Sequence, residues 1–182
     1  RDLEEELLPV KEIVNYYGPQ RFSKNNAALG KLLIEKKYDA FCKELGLVVE
    51  KNNYISALRA FGLSTLRFYL ASYQSLLWNR CAKDSTKEIL PIVGFLTEGD
   101  DYEVILLEEG LTKKDFLLRS FPEIAPEGSE RKRVISVKNF KTLSFEDDEL
   151  FAGRKKQVVA FYLPKGAYAT VVLDCMSKKD IS

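Results

Sequence analysis

Apolar positions set the first expectations. Residues 3–14 (LEEELLPVKEIV) place Leu3, Leu7, Val10 and Val14 at helical spacing, with acids clustered at the N-terminal end. That predicts a short helix, with Pro9 as a kink or as its true start. Asn25 is well placed to cap a helix over 25–36, and residues 38–46 predict a second that ends at Gly46. Residues 53–61 predict a third. Ser64 or Thr65 is expected to cap a longer helix over 66–82. Leu66, Leu70, Tyr73 and Leu77 form its core stripe, and Arg67, Ala71, Gln74 and Trp78 form a second stripe about 100° away. From residue 89 the pattern changes. ILPIVGFL and YEVILLEEG read as short strand-like runs separated by Glu98-Gly99-Asp100-Asp101. Residues 112–120 predict a short helix capped by Thr112, with Asp115 three residues on. Residues 121–130 (FPEIAPEGSE) read as a linker and the clearest boundary. Residues 131–140 (RKRVISVKNF) alternate Val134, Ser136 and Lys138 against Ile135, Val137 and Asn139, which predicts a strand; 156–163 (KQVVAFYL) predicts another. LPKGAYATVVLDCM (163–176) fits a strand by its β-branched run. It fits a helix equally by a Tyr168/Val172/Cys175 face. The fold class is α+β.

Composition narrows the function classes. The chain has 182 residues, enough for one large domain or two small ones. At 46% hydrophobic and 30% charged residues it has the balance of an ordinary globular protein. A formal net charge of +1 gives no global polybasic signal, so any nucleic-acid contact must come from local patches. No apolar run approaches the ~20 residues that span a bilayer. His is absent, which removes the common Cys/His zinc sites and every mechanism that uses His as base. Cys42, Cys81 and Cys175 are odd in number and far apart, which points to unpaired buried thiols in a reducing cytoplasm. The chain begins with Arg inside a predicted helix, so a piece of a longer protein is expected.

Three stretches bear on chemistry. NYYGPQRF (15–22) gathers amides, aromatics and Arg21 around the Gly18-Pro19 turn. It is either a structural loop with Tyr on the core or an RNA-facing loop in which Arg21 meets phosphate and an aromatic stacks on a base. LRFYLASYQSLLWNR (66–80) is a core helix with more polar groups than a core needs. Gln74 and Asn79 read as hydrogen-bonded posts or as RNA-facing groups. LPKGAYAT (163–170) joins a turn signal to Lys165 and Tyr168. Lys83-Asp84, Lys114-Asp115 and Lys179-Asp180 read as solvated surface.

In this order, these stretches resemble the TruD family of tRNA pseudouridine synthases. The first is similar to the family's NYFGxQRFG motif at Asn15, Tyr16, Gly18, Gln20, Arg21 and Phe22, and departs from it at Ser23. The helix resembles AYQSxLFN, with Ser72-Tyr73-Gln74-Ser75 in register and Trp78-Asn79 at its end. The last stretch resembles LPxGSYATxVLREL at Leu163, Pro164, Gly166, Tyr168, Ala169 and Thr170, with Asp174-Cys175 in place of Arg-Glu. The resemblance implies a pseudouridine synthase catalytic domain made in part of residues 1–22 and 131–182, interrupted by a largely helical insert of 23–130. It implies isomerisation, without cofactor or metal, of a uridine near position thirteen of tRNA, with other RNA also possible as partner. The base leaves its stack and is rejoined to its sugar through carbon. The family's catalytic Asp lies in a GxKDxxA motif upstream of NYFGxQRFG, and no such stretch occurs in this sequence. No catalytic residue is therefore assigned, the chain alone is expected to be inactive, and the N-terminal half of the same protein becomes an expected partner. The substrate-contacting set is Tyr168 beside the uracil, Arg133 toward the Asp or a phosphate, and Arg21, Asn15, Phe22 and Lys165. The alternatives are a non-catalytic RNA-binding module or degenerate paralogue, or an interaction domain that never meets RNA.

Overall fold

The computed structural model describes residues 6–177. It is α+β, in two compact units. Unit 1 comprises 1–18 and 132–182, unit 2 comprises 19–131, and the chain crosses between them at Gly18–Pro19 and at Arg131–Lys132. In chain order the elements are β1 (Glu12–Val14), α1 (Asn26–Ile34), α2 (Tyr38–Glu44), α3 (Tyr54–Phe61), α4 (Leu63–Asp84), β2 (Ile89–Ile92), α5 (Glu103–Glu108), β3 (Ser129–Lys132), β4 (Val134–Ser136), β5 (Lys138–Asp147), β6 (Lys155–Tyr162) and α6 (Ala169–Ser177). Short 3-10 turns, among them Lys113–Phe116 and Pro122–Ile124, fill the connections. Among the described residues no helix is long and apolar enough to cross a membrane.

Unit 1 is built on strand pairs. β1 runs antiparallel to β4, with Ile13 opposite Ile135 and Val14 opposite Val134. Residues 6–14 therefore are not the expected helix; residues 1–5 of that expectation lie outside the described part. An extended chain satisfies the same apolar residues, because Ile13 joins Ile135, Val137, Val171, Val172 and Met176 in the core while Leu7 and Val10 pack on its edge. A short helix containing Pro9 would gain little of its own to set against that pairing. β5 and β6 form a long antiparallel hairpin with two register shifts. Phe140 stacks on Phe161 at its base, and Leu143, Val158 and Tyr162 are exposed. The expected 131–140 strand is split. Its alternation survives at buried Ile135 and Val137, but β4 ends at Ser136 and β5 begins at Lys138.

The ambiguous C-terminal stretch is helix α6. Its inward face is Val171, Val172 and Met176; Cys175 is exposed, so only Cys42 and Cys81 are buried thiols. Adjacent inward residues at 171 and 172 with a third four positions on fit a helical face and no single strand face.

Unit 2 packs α1, α2, α3 and α5 around α4. The predicted stripe of α4 is fully buried at Leu66, Leu70, Tyr73 and Leu77, and Trp78 joins it. The helix starts at Leu63, earlier than predicted, after Gly62 at φ +112°, so neither Ser64 nor Thr65 is its cap. α3 begins as expected: the Asn53 side chain accepts from the Ser56 amide at 3.1 Å. Asn25 holds the cap position of α1 at φ +61° without a side-chain capping bond. YEVILLEEG is helical, not a strand. Tyr102 and Leu106, one helical turn apart, are buried, whereas Val104 and Leu107 are exposed. Thr112 and Asp115 form the expected capping box, on a 3-10 turn. Residues 121–130 are not a linker: Phe121 and Ile124 are buried, and the Pro126 and Glu127 carbonyls accept from the Phe95 and Leu96 amides.

Candidate nucleotide-facing site

In unit 1 the loop after β1 is pinned to the junction before β4. The Asn15 amide donates to the Arg133 carbonyl at 2.6 Å, and its side-chain Nδ2 donates to the Lys132 carbonyl at 3.0 Å. Asn15 is buried, so both ends of this side chain's neighbourhood are fixed by backbone. Tyr16 packs on the unit 1 core. The Tyr17 ring stands edge-on to Tyr168, which also packs on that core, centroids 6.1 Å apart at 62°. Such a T-shaped pair is worth ~0.5–1.5 kcal/mol beyond burial.

Tyr168 is placed by the turn before α6. The Ala167 amide donates to the Pro164 carbonyl at 3.2 Å, closing a β-turn whose third position is Gly166 at φ +86°. That conformation favours glycine and fixes the direction in which the chain enters the helix. The Tyr168 carbonyl accepts from the Val171 and Val172 amides, which opens the helix, and Lys165 is exposed on the turn. Unit 1 thus brings together Asn15, Tyr168 and the backbone of Arg133, with Lys165 close in sequence. Tyr17 is the member that motif matching passed over. The doubled aromatic of Asn15-Tyr16-Tyr17 carries the only local signal, since Tyr16 packs on the core and Tyr17 contacts Tyr168. The pair offers two half-buried aromatic rings, with exposed Lys165 three residues before Tyr168, groups of the kind that meet a base and a phosphate.

Arg21 and Phe22 lie in unit 2. Arg21 is laid against α4, its guanidinium 5.2 Å from the Phe68 ring centroid and its Nε donating to Ser75 Oγ at 3.3 Å. The Arg21 carbonyl accepts from Asn26 Nδ2 at 3.3 Å, and Phe22 is half-buried.

The polar groups of α4 are bonded within unit 2. Gln74 Nε2 donates to the Val93 carbonyl at 2.6 Å, and Arg67 Nη2 donates to the Glu123 carbonyl at 2.7 Å. Ser72 and Ser75 return their hydroxyls to the Phe68 and Ala71 carbonyls one turn back. The Tyr73 hydroxyl donates to Glu109 Oε2 at 3.0 Å, where Lys31 Nζ also arrives at 2.8 Å and Arg80 holds the second oxygen. Burial works to raise the Glu109 pKa. The bonds from Lys31 and Tyr73 and the charges of Lys31 and Arg80 outweigh it, and hold the carboxyl below the usual range. Burial, and then the Glu109 charge, push the Tyr73 phenol well above its ordinary value, so it stays a donor at every working pH. Among the described residues no group of three or more His, Cys, Asp or Glu is placed to hold a metal ion.

The family model described as tRNA pseudouridine synthase D (TruD) matches residues 97–175. A protein of Methanopyrus kandleri named probable tRNA pseudouridine synthase D is 30% identical over 146 residues, covering 67% of this chain and 35% of that protein. The chain belongs to the TruD family. A Leptospira interrogans tRNA pseudouridine synthase D is 36% identical over 76 residues, 42% of this chain and 19% of that protein. The fold agrees with a crystal structure described as that of a tRNA pseudouridine synthase D from Methanosarcina mazei. Its TM-score is 0.73 at 19% identity, and the match covers 93% of this chain and 62% of that one. This TruD chain therefore spans about a third of the length of the Methanopyrus relative it matches.

Proposed function

We propose that the protein is a tRNA pseudouridine synthase of the TruD type that isomerises a uridine near position thirteen of tRNA in the cytoplasm. The observation that carries this reading is the contact of Tyr17 with Tyr168 in unit 1. It joins NYYGPQRF to LPKGAYAT, the two most family-like stretches, across most of the chain. Tyr168 and Tyr17 wall the extruded uracil, Lys165 and Arg133 meet backbone phosphate or the attacking carboxylate, and Asn15 holds the loop in place. Residues 1–22 and 131–182 form part of the catalytic domain, and 23–130 form the insert. Since no GxKDxxA stretch occurs among the 182 residues, the carboxylate that attacks comes from an upstream segment of the same protein.

Tritium release tests this. Joining the sugar to carbon 5 of uracil expels the hydrogen that carbon 5 carried, so tRNA labelled there loses tritium once per conversion. The 182-residue chain should bind tRNA with salt-dependent affinity and release no tritium. The same residues expressed with their upstream segment should release it. Release by the chain alone would overturn the placement of the carboxylate, and release by neither would overturn the enzyme reading. Salt-dependent tRNA binding without release by either form would favour the non-catalytic RNA-binding module.

A further inference from the structure

In unit 2, the stretch after the Thr112 cap alternates between core and solvent. Phe116, Leu118 and Phe121 are buried, while Leu117, Arg119 and Ser120 face outward. The outward residues border a concavity of about 430 Å3 that also takes in Lys36, Lys114 and the rings of Tyr38 and Phe95. Its walls are held from behind. Tyr38 stands edge-on to buried Phe121, centroids 5.6 Å apart at 86°, and Arg59 Nη2 donates to the Ser120 carbonyl at 3.1 Å. The capping box fixes the turn that carries Lys114. Three cations therefore converge on one concavity. Lys36 is engaged by Asp115, with Nζ 3.3 Å from Oδ1 and 3.0 Å from the carbonyl oxygen. Lys114 and Arg119 are exposed and have no anionic partner among the described residues.

We propose that this concavity holds one nucleotide of an RNA chain, with a backbone phosphate at Lys114 and Arg119 and a base against Tyr38 and Phe95. The inference rests on the tRNA reading above and adds a docking point within unit 2, apart from the Tyr17–Tyr168 wall of unit 1. Uncompensated like charges attract an anion, and a phosphodiester supplies one. Two aromatic walls suit a base, whose π-face every nucleotide has. An acidic peptide would answer the charges and leave the rings unused.

The test is tRNA binding by the 182-residue chain, titrated with salt. Lys114→Gln/Arg119→Gln is compared with wild type and with Lys43→Gln/Lys83→Gln, which removes the same charge from exposed positions elsewhere in unit 2. The concavity variant should bind about tenfold more weakly near 0.1 M salt, with the slope of log affinity against log salt shallower by about 1. The control should bind like wild type. Melting temperatures within a degree or two keep folding out of the comparison, and Arg119→Gln alone provides a second variant with the same expected direction. Unchanged binding by the concavity variant, or an equal loss in the control, overturns this inference and leaves the tRNA reading intact. No binding by wild type at 50 mM salt overturns both. Uridine monophosphate at matched ionic strength should not displace tRNA. If it does so from wild type and not from the concavity variant, the site belongs to free nucleotides. If polyglutamate displaces tRNA more effectively than a single-stranded RNA of equal charge, the site belongs to acidic peptides; either result overturns the inference.

Discussion

Tyr73→Phe isolates one bond at the centre of unit 2. The ring is fully buried and Phe fills nearly the same volume, so packing is preserved and only the hydroxyl is lost. A hydrogen bond to a charged group contributes ~1.5–3 kcal/mol net. Glu109 keeps Lys31 and Arg80 after the change, so no bare carboxylate is left buried. That places the cost at the low end, about 1.5 kcal/mol, or ~3–6 °C in Tm for a chain of this size. The pH dependence separates this bond from general packing. The folded-state pKa of Glu109 lies below its unfolded value, so the carboxylate's contribution is complete above the unfolded pKa of ~4.3 and fades as pH falls through the folded one. The Tm gap between wild type and Tyr73→Phe should be full at pH 7 and should narrow as pH falls through the lowered folded-state pKa of Glu109. Glu109→Gln should cost more than Tyr73→Phe, because it leaves Lys31 and Arg80 facing a neutral amide. The double variant should then show ~1 kcal/mol of coupling. Thermal and urea melts of the four proteins read all of this. Equal Tm at pH 7, or a gap that stays constant while pH is lowered until Glu109 is protonated in the folded protein, would refute a charge-assisted bond.

Two substitutions test other parts of the chain. At Gly30→Ala the new Cβ would stand 2.1 Å from the Tyr69 carbonyl oxygen and 2.8 Å from Tyr73 Cβ, so α1 and α4 must separate. Despite the ~1 kcal/mol that Ala gains as a helix former, urea melts should show a net loss of ~1–3 kcal/mol, and neutral or improved stability would show that the two helices are not so close. In the active enzyme, Tyr168→Ala should lower the single-turnover rate about tenfold or more with little change in tRNA affinity, and Tyr168→Phe should be nearly silent, since stacking is worth ~1–3 kcal/mol per base. A folding loss in Tyr168→Phe with an unchanged rate in Tyr168→Ala would make Tyr168 a structural post.

What the sequence disclosed follows the range of the interactions involved. α1 to α4 were legible because a helix carries its own periodicity, and Thr112 announced its cap through Asp115, three residues on. β1 was read as a helix because Leu7, Val10 and Val14 suit either geometry, and the strand that decides the matter, Val134–Ser136, lies far along the chain. α5 was read as a strand because ILL is β-like locally; the burial of Tyr102 and Leu106, which settles it, depends on the packing of unit 2. At the candidate site, the motif residues stood out one by one. Their grouping did not: nothing local shows that Tyr17 would meet Tyr168 while Arg21 would lie on Phe68.

The polar residues of 66–80 mark α4 as a scaffold. Gln74 and Arg67 spend their donors on the carbonyls of Val93 and Glu123, and Tyr73 and Arg80 spend theirs on Glu109. Every one of these partners lies beyond residue 85, in a stretch whose longest regular element within unit 2 is the six-residue α5. Segments that short do not hold a conformation on their own. Side-chain bonds from a 22-residue helix supply the order that local structure lacks. Arg59 acts in the same way from α3, through the Ser120 carbonyl. The loop that carries Arg119 is thus held by Arg59 through the Ser120 carbonyl and by Arg67 through the Glu123 carbonyl. Polarity on α4 is therefore the means by which unit 2 orders its irregular 86–131 stretch.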